Sequence, residues 1–133
     1  MRMKRNSVTF PAAPASVAEA RAWLTAVLPS PPGVPDDTAA AAVLALSEAA
    51  TNAVRHASGA EFHVRTSLGP GSLRVECEDA GGPTVPLLRR AGVCEEGGRG
   101  LALIAAFTDS WGPLHGRPGI YFRLDWPSGS AVG

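Results

Sequence analysis

Glu48, Asn52 and His56 recur at intervals of four in the stretch SEAATNAVRHA, residues 47–57. On a helix that spacing sets the three side chains in one row on one face. Such a row is either an idle wet surface or the wall of a site. A second polar cluster, Glu78-Asp79-Ala80-Gly81-Gly82, stands where a strand would end. Its plain reading is an Asp-Gly turn. A third, Gly97-Gly98-Arg99-Gly100, enters an apolar run beginning at Leu101. At a helix start the free backbone amides and the dipole favour an anion, although a glycine-rich loop end has the same composition.

Composition narrows what these clusters can do. The chain has 133 residues, 45% of them hydrophobic, enough for one domain with its own core. Its 12 basic and 12 acidic residues balance, so bulk electrostatics offer no hold on nucleic acid or on a membrane surface. Cys77 and Cys94 fit no zinc spacing, and Cys77 falls in a strand-like run as a buried thiol. His56, His63 and His115 lie too far apart to read as a metal cage. No apolar run approaches the ~20 residues of a membrane span, and the start MRMKRNSVTFP lacks the apolar segment of a signal peptide. The expected location is the cytoplasm. A P-loop is excluded, since no G-x-x-x-x-G-K-[ST] occurs. Gly98-Arg99-Gly100 also lacks the third glycine of a dinucleotide fingerprint.

The elements that must position the clusters follow from periodicity and breakers. Residues 7–10 alternate as an edge strand. Ser16 is placed to cap a helix reaching Leu28, broken by the prolines at 29, 31 and 32. Asp36 or Asp37 is placed to cap a long helix to about His56. Val43, Leu46, Ala50, Ala53, Val54 and Ala57 form its apolar side, and the Glu48–Asn52–His56 row lies opposite. Phe62, Val64, Thr66 and Leu68 alternate, Gly69-Pro70-Gly71 turns the chain, and Leu73, Val75 and Cys77 alternate again as a hairpin partner. A helix is expected from about Gly100 to Phe107, then a closing hairpin over 111–114 and 120–126. Residues 80–100 form a long glycine- and proline-rich segment, a length usually kept for function. The order β-α-α-β-β-loop-α-β-β predicts an α/β (α+β) two-layer sandwich, a mostly antiparallel sheet covered on one side by helices.

Taken in order, the three clusters resemble the GHKL ATPase/kinase superfamily, which has the Bergerat ATP-binding fold. Glu48 with Asn52 matches its N box, Asp79–Gly81 its first glycine box and Gly98–Gly100 its second. SEAATNAVRHA followed by GGRGLALI is most similar to the anti-sigma-factor serine/threonine kinases of the RsbW/SpoIIAB type. The likeness spans roughly residues 7–126 of a single domain over 1–133.

That resemblance implies ATP and Mg²⁺ as cofactors. Asn52 would lend its carbonyl oxygen to Mg²⁺, which needs few protein ligands besides phosphate oxygens. Asp79, accepting hydrogen bonds only, would read the exocyclic amine of adenine, and Gly81 would leave room for the base. Gly98, Arg99, Gly100 and Leu101 would meet the phosphates, under a lid over 83–97. Glu48 would be the catalytic base. The implied protein phosphorylates a serine of an anti-anti-sigma (STAS-type) partner, sequesters a sigma factor and forms a homodimer. A module on the same fold that binds a partner without transferring phosphate is the alternative. Three features depart from the pattern. The family's first glycine box often continues to another glycine and an apolar residue, whereas here Gly82-Pro83 follows. Gly119 falls where many relatives carry threonine, and Glu95 and Glu96 flank the phosphate loop where some carry a base.

Overall fold

The computed structural model describes residues 3–29, 33–56, 60–79 and 95–128, without the side chains of 95–99. In chain order the elements are β1 (Lys4–Pro11), α1 (Ala15–Val27), α2 (Asp36–His56), β2 (Glu61–Gly69), β3 (Ser72–Asp79), α3 (Glu95–Phe107), β4 (Ser110–Pro113) and β5 (Gly119–Asp125). The five strands form one sheet in the order β1-β2-β3-β5-β4, each neighbouring pair antiparallel. The expected α+β architecture is therefore what the chain adopts.

Alternation sets the sheet's two faces. Phe62, Val64 and Thr66 of β2 and Leu73, Val75, Cys77 and Asp79 of β3 are buried, while the residues between them reach toward solvent. Pro70 and Gly71 make the two-residue turn between these strands, and Gly71 takes φ 76°, which a side chain would strain. Phe10 of β1 packs on Phe62 with ring centroids 5.6 Å apart.

The helices cover the inner face. α2 buries Ala42, Ala45, Leu46, Ala49, Ala50 and Ala53 against the strands and its neighbours α1 and α3. Alanine at so many contacts lets the helix lie close to the sheet, and alanine also favours the helix itself. The outer face of the sheet is polar. Arg65 and Arg117 reach Glu78 at 2.8 and 3.1 Å, and Arg74 reaches Glu76 at 3.2 Å while lying over the Tyr121 ring.

Several boundaries differ from the sequence reading. β1 begins at Lys4, three residues earlier than expected, because pairing with β2 carries polar residues into the strand. Ser16 does not cap α1. The cap position is Pro14, without a side-chain bond, and Ser16 is buried inside the first turn. Likewise Pro35 precedes α2, its carbonyl accepting from the Ala39 amide, and both aspartates lie within the first turn where they oppose the dipole. α3 starts at Glu95 rather than near Gly100, so Gly98 and Gly100 lie inside a helix despite the propensity cost. Acidic residues at 95 and 96 suit a helix N-terminus.

Candidate functional site

The middle of α2 faces the end of β3 and the start of α3, where Asn52 and Asp79 share a pocket and Gly100 closes on α2. Asn52 is 8% exposed. The row Glu48–Asn52–His56 therefore does not lie opposite the apolar side, as the spacing suggested, but along its margin. Small neighbours allow this: Ala49, about one turn earlier, and Ala53, the next residue, lie beside Asn52, and all three line a small pocket with Cys77, Asp79, Gly119 and Ile120. His56 is half-buried and does not line that pocket.

Glu48 and Asn52 converge on Gly100. A Cβ placed on Gly100 would stand 3.4 Å from Glu48 Oε1 and 3.9 Å from Asn52 Oδ1. Residues 48, 52 and 100 thus form one wall, although the last lies far along the chain from the first two. Gly100 is buried, Leu101 after it half-buried. Glu48 is half-buried and makes no ion pair or hydrogen bond among the described residues. Asn52 likewise has no hydrogen-bond partner among them. Since no fully buried polar side-chain atom is left without a partner among the described residues, the Asn52 amide opens on the pocket. An unpaired amide at such depth costs stability unless something else bonds to it.

Asp79 forms the other side. The residue is only 4% exposed, and its backbone amide donates to the Pro118 carbonyl at 2.9 Å, which fixes the strand end. Two residues earlier on the same inner face, the Cys77 thiol is pushed up from 9.0 to about 12, first by burial and then by the Asp79 charge. The thiol is thereby an inert apolar surface of the pocket. Gly119 closes the floor with backbone alone. It takes φ 142°, and a Cβ there would clash with the Cys77 carbonyl oxygen. The position where threonine was looked for can hold no side chain in this backbone.

The sequence-predicted residues divide accordingly. Glu48, Asn52 and Gly100 are brought together, and Asp79 shares the pocket with Asn52. Gly81 and residues 83–94 of the expected lid lie outside the described residues. Gly98 and Arg99 are in α3, whose side chains before residue 100 are not described. Cys77, Ala49, Ala53 and Ile120 were missed as pocket residues. The signal for Cys77 was available, since alternation along β3 puts it on the face of Asp79. Among the described residues no group of three or more His, Cys, Asp or Glu could hold a metal.

The sequence profile of the histidine kinase-like ATPase domain matches residues 10–117, which contain the whole wall and all of the pocket but Gly119 and Ile120. The chain belongs to that family. No curated protein matches its sequence. Among solved structures, the RsbU and RsbW domains of Rv1364c from Mycobacterium tuberculosis match with a TM-score of 0.65 at 25% identity. The alignment covers 91% of this chain and 31% of that one, so this ATPase-family domain corresponds to about a third of that molecule. The GHKL resemblance read from the three clusters is thus supported from the family and from the fold, and the RsbW-like character with it. Among the described residues of this domain, no helix is long and apolar enough to cross a membrane.

Proposed function

We propose that this histidine kinase-like ATPase domain is an ATP- and Mg²⁺-dependent protein serine/threonine kinase of the anti-sigma-factor type. The observation that carries the reading is the wall of Glu48, Asn52 and Gly100, with an unpaired buried amide and an unpaired carboxylate facing one glycine. The donor set suits the ligands. A single neutral oxygen from Asn52, with no carboxylate cage among the described residues, fits Mg²⁺, which takes its remaining ligands from phosphate oxygens and water. Bound there, the ion would neutralise charge on the phosphates. Asp79, buried and accepting only, suits the adenine amine.

The chain's own residues would then act as follows. Asp79 orients the base at the pocket floor, and the amides of Gly98 to Leu101 face the phosphates. With α3 beginning at Glu95, those amides lie inside the helix, where ladder bonds occupy them. Binding would therefore need the first turns of α3 to unwind. Their glycines, each about 1 kcal/mol poorer than alanine in a helix, keep that cost small. Glu48 takes the proton from a serine hydroxyl of the partner as its oxygen bonds to the γ-phosphorus. The bond to the bridging oxygen breaks and ADP leaves. The partner would be a STAS-type anti-anti-sigma protein, a sigma factor would be the sequestered target, and the acting form would be a homodimer. The RsbW domain in the matching structure supports a partner-binding regulatory role.

The test is transfer of labelled γ-phosphate to a partner serine, with ATP affinity measured in parallel. Glu48→Gln keeps size and removes the base, so ATP binding should persist while transfer falls about 10²–10⁴-fold. Transfer at the parental rate would remove Glu48 from the mechanism. ATP binding by the parent without any transfer to a verified partner would favour the sequestering module instead.

A further inference from the structure

Asp79 sits where β3 stops pairing. The ladder with β5 runs from Ser72 opposite Asp125 to Glu78 opposite Gly119, and one step further the Asp79 amide donates to the Pro118 carbonyl at 2.9 Å. A hydrogen-bonded antiparallel pair normally exchanges two backbone bonds. Proline has no amide, so Pro118 returns none and the strand end is held more weakly than an ordinary pair would hold it. The loop that carries Pro118 is tied to the sheet by Leu114 and Arg117. Leu114 is buried, and its amide donates to the Gly119 carbonyl at 2.9 Å. Arg117 lays its guanidinium across the outer face of β3, with Nη1 3.1 Å from Glu78 Oε1 and Nη2 3.6 Å from Glu76 Oε1. From β2, Arg65 reaches the same Glu78 oxygen at 2.8 Å. The Arg117 side chain is 42% exposed, and a pair so wet adds little to stability. Its place in the chain matters more. Glu78 and Arg117 each stand one residue before a member of the Asp79–Pro118 bond.

We infer that Arg117 and Glu78 are positioning residues for Asp79. Their ion pair on the outer face of the sheet clamps the Pro118 carbonyl to the Asp79 amide, and so fixes where the buried Asp79 side chain stands in the pocket on the inner face. The inference rests on the reading of Asp79 as the group that meets the adenine amine. Alternation makes the linkage possible, because the side chains of residues 78 and 79 leave opposite faces of one strand. A contact that never touches the nucleotide thereby sets the aim of one that does. Hydrogen bonds weaken steeply as their angle departs from linear, so a loosened strand end would lose recognition of the base long before it lost the fold. Arg123 supplies a comparison on the same face. It carries the same charge and pairs with Asp125 at 3.2 Å, but it lies opposite Arg74, toward the other end of β3.

Amide hydrogen exchange read by NMR, together with ATP and GTP affinities, tests the clamp in the parent, Arg117→Ala, Arg117→Lys and Arg123→Ala. In Arg117→Ala the Asp79 amide should exchange about tenfold faster, while circular dichroism keeps the parental fold. ATP affinity should fall about tenfold, and GTP affinity should not fall, since GTP has no amine for Asp79 to read. A merely structural loss would weaken both nucleotides alike. Arg117→Lys keeps a charged contact to Glu78 and should recover most of the preference for ATP. Arg123→Ala should retain all of it. An unchanged Asp79 exchange rate in Arg117→Ala overturns the clamp. Faster exchange with an unchanged ratio of ATP to GTP affinity overturns the positioning role, as does an equal drop in Arg123→Ala. A parent that binds no ATP overturns the nucleotide reading instead, and the exchange rates still decide the clamp.

Discussion

Asp79 and Cys77 stand two residues apart on one face of β3, and the charge of the first acts on the thiol of the second. The thiol holds its proton to about pH 12 in the folded chain and to its ordinary 9.0 when unfolded. Below pH 9 both states are protonated and nothing is lost. Above it only the unfolded state gives up the proton, so stability falls as pH rises toward 12, by at most about 1.4 kcal/mol per pH unit. Urea unfolding of the parent and of Cys77→Ala between about pH 8.5 and 10.5 checks this. The parent should lose stability faster, and parallel slopes would contradict the assignment. Asp79 itself is tested through nucleotide choice. Asp79→Asn should weaken ATP binding by roughly 1.5–3 kcal/mol, one charge-assisted hydrogen bond, with the fold intact. GTP, lacking the amine, should bind the parent poorly, and equal ATP and GTP affinities would sink the role.

β5 is held against β3 by a glycine that nothing can replace. Gly119→Ala would set a Cβ against the Cys77 carbonyl at a φ that side chains rarely adopt. It should cost more than about 3 kcal/mol in denaturant unfolding, adding backbone strain to a clash. Gly116, at φ 72° with open space around its missing Cβ, isolates the conformational part, and Gly116→Ala should cost only about 1 kcal/mol. Equal costs would show that the close approach at Gly119 is unimportant. Elements differ in how legible they are. The β2–β3 hairpin could be read because strict alternation and Pro-Gly act locally. The length of β1 could not, since Lys4 to Asn6 become strand only through a partner more than fifty residues away. The start of α3 was hidden by Gly97 and Gly98, and Ser16 was mistaken for a cap because its burial depends on packing that local sequence does not encode. At the site, the pairing of Glu48 with Asn52 was visible in four-residue spacing. The burial of Asn52 was not, because it depends on the closeness that Ala49 and Ala53 allow.

At the scale of the molecule, one sheet face carries the helices and the site, and the other carries Arg65, Arg74, Arg117, Glu76 and Glu78 in a partly exposed ionic lattice. Such pairs contribute little to stability and keep the open face soluble. Family and fold were legible because three weak motifs fall in a fixed order along an antiparallel framework, and the family match and the likeness to the RsbW-containing structure agree with that reading. The account depends most on the wall between α2 and α3 being a nucleotide site. Titration calorimetry of ATP into the purified domain, with and without Mg²⁺, tests that in the parent and in Asn52→Ala. Mg²⁺ should strengthen ATP binding to the parent and leave the weaker binding to Asn52→Ala unchanged, since the other ligands would be phosphate and water. No ATP binding by the parent, or an equal Mg²⁺ effect in both proteins, would contradict it.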